Sequence, residues 1–311
     1  MNFNDILNKV IPFRKKRLDR EFICACADGD LKGVKRALKK GADINAKYDD
    51  VPAILSAVSF GHNDVAMYLA QNPKTDVNAS DLHGTTPLFW AIARGGMSGT
   101  IKALMKREDI DTNRKPNWMG ASLLHEAVLK QDYTAVRLLS ENPKTNMNVR
   151  DAKGQTPLHL AVTKINSSEI VRLLVSHPRV KVNALDMKRQ TPLHVAAFEG
   201  KSGYVKHLLS HREIDPNIQD IDGNTPFHLA SMKGHEKATQ TLAVSPKVYF
   251  SVRNRLNATA EEMASGFDLR LMIRRMEKIR GGIPKITPLV YHSSINEARL
   301  RKQKERDGRG S

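Results

Sequence analysis

The sequence predicts an all-α solenoid, an elongated stack of helix-turn-helix units joined by hairpin-like loops. Two rulers and an apolar column predict it. Thr-Pro-Leu-His stands intact at Thr156–His159 and Thr191–His194 and returns as Thr225-Pro226-Phe227-His228. It is decayed at Thr86-Pro87-Leu88-Phe89 and Ser122-Leu123-Leu124-His125; from Thr86 the steps are 36, 34, 35 and 34 residues, and another 34 reaches Thr259. The second ruler, mostly Asp/Asn-x-Asn, falls at Asn45, Asn78, Asn113, Asn148, Asn183 and Asn217, with steps of 33, 35, 35, 35 and 34. Between the rulers runs the column Val34, Val65, Ile101, Val136, Val171 and Val205, shadowed by Leu104, Leu139, Leu174 and Leu208. Periods of this size mark repeated supersecondary units that bury a core only by stacking.

A period near 33 carrying T-P-L-H-x-A resembles the ankyrin-repeat family, and the resemblance covers residues 18–280. It implies about seven units, at 18–47, 48–80, 81–115, 116–150, 151–185, 186–219 and 220–253, and a truncated cap at 254–280. A basic amphipathic segment, 1–17, precedes them, and a basic tail, 281–311, follows.

Each element of a unit has a physical reason. The threonine hydroxyl caps a helix start, and proline follows where its missing N–H costs nothing. Leucine enters the core, and histidine is placed to hydrogen-bond to a neighbouring unit. Gly29, Gly61, Gly95, Gly200 and Gly234 end the first helix of their units and permit the turn into the second. Asp81–Gly84, Asp151–Gly154 and Asp220–Gly223 carry the turn chemistry of the loop tips. Pro73, Pro143 and Pro178 stop second helices. The departures are local: unit 2 replaces the motif with Pro52-Ala53-Ile54-Leu55 and is expected to be weaker, unit 5 inserts Ile165-Asn166-Ser167-Ser168, and unit 6 has Arg189 at the loop glycine. Charged Arg17–Arg20 begins the array, and a last helix with Phe267, Leu269, Leu271, Met272, Ile273 and Met276 on its apolar side closes it.

The net charge is +17, with +4 on residues 1–20, +4 on 281–311 and +9 between. Aromatics are 5%, which calls for an aliphatic core. Cys24 and Cys26 cannot bridge from alternating positions on one helix and are expected as reduced core thiols, consistent with a cytoplasmic, monomeric protein. No apolar run is long enough for a membrane span, and the first residues lack the order of a signal peptide. Arg14–Arg17 reads as a nuclear-import signal or a membrane-surface contact.

The residues offer no catalytic constellation and no cofactor or metal site. His125, His159, His194 and His228 follow the scaffold period, not ligand spacing. His207 and His211 lie four apart, with no cysteine or carboxylate placed to complete a shell. There is no glycine-rich phosphate loop and no nucleophile elbow.

Binding is what remains. A solenoid presents loop tips and first-helix ends along a concave surface. Arg94, Lys130, Lys164 and Lys233 occupy one position in four units, interrupted by Glu199, and Lys153 and Lys188 extend the positive stripe at the tips. Beside them stand Trp118, Met119, Leu129, Met187 and Phe198, large apolar groups without core duty. The expected site is therefore Arg94, Trp118, Met119, Lys130, Lys153, Lys164, Lys188 and Phe198, and the expected partner an acidic, partly apolar protein segment. Two other readings stand beside it. One is salt-dependent, non-specific nucleic-acid binding through the positive surface. The other is a secreted effector of an intracellular bacterium or virus, implied by a resemblance in the irregular Asn-Pro-Lys-Thr and His-Pro-Arg-Val units and the hydrophilic tail, with Arg299–Arg306 as a candidate export signal.

Overall fold

The computed structural model describes residues 3–114, 120–164 and 167–281, with side chains from Lys15 onward. Helices come in pairs: α1 (Phe3–Asp28) with α2 (Leu31–Lys39), α3 (Ala53–Phe60) with α4 (Asn63–Gln71), and α5 (Pro87–Arg94) with α6 (Ser98–Met105). Next are α7 (Leu123–Leu129) with α8 (Tyr133–Glu141), and α9 (Pro157–Lys164) with α10 (Ser168–Ser176). Then follow α11 (Pro192–Phe198) with α12 (Ser202–Leu209), α13 (Pro226–Met232) with α14 (Glu236–Val244), and a single α15 (Phe267–Gly281). First helices pack on first helices along the chain, and second helices on second helices. The all-α expectation needs one addition, an antiparallel pair of two-residue strands, β1 (Lys47–Tyr48) and β2 (Val51–Pro52).

One aliphatic cluster runs the length of the stack, from Phe22 to Ile273. The column Val34, Val65, Ile101, Val136, Val171 and Val205 is wholly buried in it. No unit could bury that column alone, so the core exists only between units.

Local chemistry sets the helix starts. Thr86, Ser122, Thr191 and Thr225 accept from the backbone N–H three residues on, and Pro87, Pro192 and Pro226 occupy the first turn. The first helices end where the chain turns left-handed, at Gly29, Gly61, Gly95, Gly200 and Gly234. In unit 4 Gln131 takes that conformation, with φ +54°. Unit 2 lacks a side-chain cap at Pro52. Its α3 is nevertheless buried along Ala53–Val58, and the strand pair steers the chain into it. Tertiary burial there replaces the missing cap.

Two end-group expectations are corrected. Cys24 is exposed and only Cys26 is buried, because one step of two on a helix turns a side chain to the opposite side. Burial pushes the Cys26 thiol up to about 12. On α15, Leu269 and Ile273 face the core, but Phe267, the first residue of the helix, is 77% exposed.

Candidate functional site

The polar residues that repeat with the fold are engaged in joining units. His194 Nδ1 accepts from the Thr191 N–H at 3.1 Å, and its Nε2 donates to the Asn224 carbonyl of the next unit at 3.0 Å. A backbone N–H can only donate and a carbonyl can only accept, so this pair of partners fixes the neutral, Nε2-protonated ring. His125, His159 and His228 repeat the arrangement onto Gln155, Gln190 and Ala258. Burial disfavours the charged ring, holding His194 down at about 4 and lowering His159 and His228.

The asparagine ruler does the same on the other side. Asn148 Nδ2 donates to the Arg179 carbonyl at 2.7 Å, and its Oδ1 accepts from the Lys181 N–H at 2.6 Å. Asn45, Asn78, Asn113, Asn183 and Asn217 each bridge the next unit through the same two atoms. Cations then cover the carbonyl ends of second helices. Arg107 reaches Asn72 O at 2.7 Å, Arg179 reaches Ser140 O at 2.7 Å and Asn142 O at 2.8 Å, and Arg280 reaches Pro246 O at 2.9 Å. Lys144 and Lys247 donate to the carbonyls of Glu108 and His211. Part of the basic surplus between the termini is therefore structural, matched to the negative ends of helices.

The remaining candidates fall into three groups. At the loop tips, neighbouring backbones join: Met187 N–H donates to Lys153 O at 3.1 Å and Ile221 N–H to Lys188 O at 3.0 Å. This leaves the Lys153 and Lys188 side chains exposed, in line with exposed Leu82, Met187 and Ile221. At the helix ends, Arg94 Nη1 donates to the Ser59 carbonyl at 2.7 Å, Lys130 lies 3.8 Å from the buried Glu126 carboxylate, and Lys164 is exposed. Phe198 is 38% exposed with Lys233 Nζ 4.5 Å over its ring, so these two residues from adjacent units form a cation–π pair. Trp118 and Met119 lie outside the described residues, as does Ile165-Asn166 of the unit 5 insertion.

Thr85, Ala121 and Asn224, at the base of the loop tips, are buried, since each leads from the tip into the helix cap. His211 lies past the end of α12 and its Nδ1 accepts from the Glu213 N–H at 3.1 Å, so it does not share a helix with His207. Among the described residues no group of histidine, cysteine and carboxylates could hold a metal.

Sequence reasoning missed Trp90. It sits four residues after Thr86, where other units place Ser56, Glu126, Leu160, Val195 and Leu229, all buried. An indole is too large for that register, and Trp90 projects with 37% of its surface exposed. The signal was present as an aromatic in a column of smaller residues. Leu129, Phe198 and Met232, at one repeat position, and Trp90, one turn earlier in its unit, are exposed large apolar groups on first helices, and exposed Lys130, Lys164 and Lys233 stand at the next repeat position.

A line of stacked helix pairs, with tips and first-helix ends open along one side, defines a solenoid built for surface recognition. The family model for ankyrin repeats, in sets of three copies, matches residues 22–116, 93–186, 124–220 and 166–254, and the chain belongs to the ankyrin-repeat family. Such repeats indicate a protein–protein interaction role, and the family is generally non-enzymatic. The chain is similar to alpha-latrotoxin-Lt1a of Latrodectus tredecimguttatus, 32% identical over 153 residues, which is 47% of this chain and 11% of the toxin. Rabankyrin-5 of Homo sapiens is 34% identical over 140 residues, 44% of this chain and 12% of that protein. Mitochondrial disaggregase of Bos taurus is 27% identical over 146 residues, 46% of this chain and 21% of that protein. The chain thus spans between 11% and 21% of the length of these relatives. No helix among the described residues is long and apolar enough to cross a membrane.

Proposed function

We propose that the open side of the stack binds an acidic, partly apolar segment of a partner protein. Leu129, Phe198 and Met232, exposed seven residues after their caps and each beside or close to a lysine, with Trp90 exposed one helical turn earlier in its own unit, carry this reading. A solenoid whose core is already closed has no folding use for four exposed large apolar groups. Aromatic anchors beside cations supply the desolvated contacts that dominate interface energies. Arg94 and Lys130 contribute field rather than direct contacts, being held by Ser59 and Glu126, whereas Lys153, Lys164 and Lys188 are placed to meet carboxylates. Trp118 and Met119, at the tip of unit 4, belong to the same proposed site by sequence register.

The test is selection from a peptide library of mixed charge displayed against the intact chain. Acidic peptides with aromatic or aliphatic anchors should be enriched. Trp90→Ala with Lys164→Glu should weaken the selected peptides by roughly 10- to 100-fold, with the helical circular-dichroism signal at the assay temperature unchanged. Enrichment without charge bias, or equal binding to the variant, would sink the proposal.

Nucleic-acid binding is the competing reading, resting on the charge of +17. A retardation assay at low and physiological salt separates the two, since purely ionic binding collapses as salt rises. The effector reading draws on Asn-Pro-Lys-Thr and His-Pro-Arg-Val segments, but Lys144 and Arg179 within them bind carbonyls of preceding units.

A further inference from the structure

The first unit carries a cationic surface that the stack does not use. Lys32, Lys35, Arg36, Lys39 and Lys40 follow the i, i+3, i+4, i+7, i+8 spacing of one helix side, and all five are exposed. The opposite side of α2 buries Val34 and Ala37, and the helix has no acidic residue. Lys15, Lys16, Arg17 and Arg20 of α1 are exposed as well. The carboxylates nearby have duties of their own: Asp19 accepts from the Asp43 N–H at 2.7 Å, Glu21 meets Arg17 at 3.4 Å, and Asp30 accepts from the Gly33 N–H at 2.9 Å. Between α1 and α2 lies a groove of about 480 Å³, lined by the cations Arg17, Arg20, Arg36 and Lys40 and by the carboxylates Glu21, Asp28 and Asp30. Lys35 lies over the Tyr68 ring. Unlike Arg107 and Arg179, the α2 cations cover no neighbour's helix end among the described residues.

The same spacing recurs in the leading turns of α1 with opposite chemistry. Phe3, Ile6, Leu7, Val10 and Ile11 fall at i, i+3, i+4, i+7 and i+8, and the helix runs on directly into Arg14-Lys15-Lys16-Arg17. Apolar residues at helical spacing in the sequence, followed by clustered cations, are the pattern of a helix lying in a lipid headgroup region. A polynucleotide would use the cations but has little to offer apolar residues, whereas a continuous run of apolar helix into a cation cluster suits the acyl and headgroup layers of a lipid surface.

We propose that the first unit docks the array on an anionic phospholipid membrane. The cations of α2 and the α1–α2 groove meet lipid phosphates and carboxylates, and the leading turns of α1 enter the interface. Unit 1 is separate from the exposed apolar groups on α5 to α13, so docking leaves the proposed protein site open. The two proposals stand or fall independently.

The test is co-sedimentation of the full chain with vesicles of phosphatidylcholine alone or with about one-third phosphatidylserine, at about 0.15 M salt. Binding is expected only to the serine-containing vesicles. Lys32→Glu/Arg36→Glu/Lys39→Glu should lower partitioning on the order of a hundredfold, with an unchanged urea midpoint showing that the array still folds. Leu7→Asp/Ile11→Asp, which leaves every cation in place, should weaken binding separately. Equal binding to both vesicles, no binding to either, or full binding by the triple variant overturns the proposal. So does retardation of single-stranded RNA at the same salt without vesicle binding.

Discussion

Arg189 holds φ at +58° in a loop tip where Gly154 holds +73° and Gly223 +76°. An L-residue in that region costs about 1–2 kcal/mol, and glycine returns about half of this by loosening the unfolded chain. Arg189→Gly is therefore expected to stabilise the array by roughly 0.5–1 kcal/mol. The reverse change is harsher. A Cβ on Gly154 would stand 3.0 Å from Met187 N, the atom that joins that tip to its neighbour. Gly154→Ala should cost about 1–2 kcal/mol. Urea midpoints of the two variants test this, and movement in the same direction would refute it. The departure at Arg189 was legible as a missing glycine, but its strain became measurable only with the backbone angle.

At the scale of elements, the ends of second helices depend on a residue one unit away. Arg179 binds the carbonyls of Ser140, Asn142, Pro143 and Thr145, at the end of α8. Charge-assisted bonds of this kind contribute about 1.5–3 kcal/mol each when isolated and less when half-exposed. Arg179→Leu should then destabilise by roughly 2 kcal/mol and lower hydrogen-exchange protection most in 138–148. Lys181→Leu, two residues on and exposed, should leave both unchanged. Helix starts were readable because a threonine caps its own turn, three residues away in sequence. These helix ends were not, because their partners lie 34 to 39 residues away. The asparagine ruler was visible as a period for the same reason that its bridging role was hidden.

The whole molecule is held by buried neutral histidines repeated along the stack, and acid should loosen it cooperatively. His194 is held at about 4, and His159 and His228 are lowered in the same direction by burial. An unfolded histidine binds its proton near 6.5, so the unfolded chain carries more protons as pH falls through that value. Stability is thus full above about pH 6.5 and declines toward pH 4. For His194 the slope approaches about 1.4 kcal/mol per pH unit within this window, and His159 and His228 add to it in the same direction. Urea midpoints at several pH values should fall through this window, and a flat profile would contradict the assignment of neutral rings. Loss should be felt across units, because each ring ties its own helix cap to the next unit.

The architecture was determined by the sequence alone, since a repeat needs only its own period to declare which positions face the stack. Thr-Pro-Leu-His, the asparagine ruler and the valine column place helix starts, tips and core without knowledge of any contact. Charge and exposure were decided by the tertiary structure. Arg94, Lys144 and Arg179 are alike in sequence as surface cations, yet each is held by a carbonyl of the preceding unit. Trp90, hidden among first-helix core positions, projects instead. Whether a cation is engaged or an indole covered depends on atoms brought from the adjacent unit, and stacking alone brings them together.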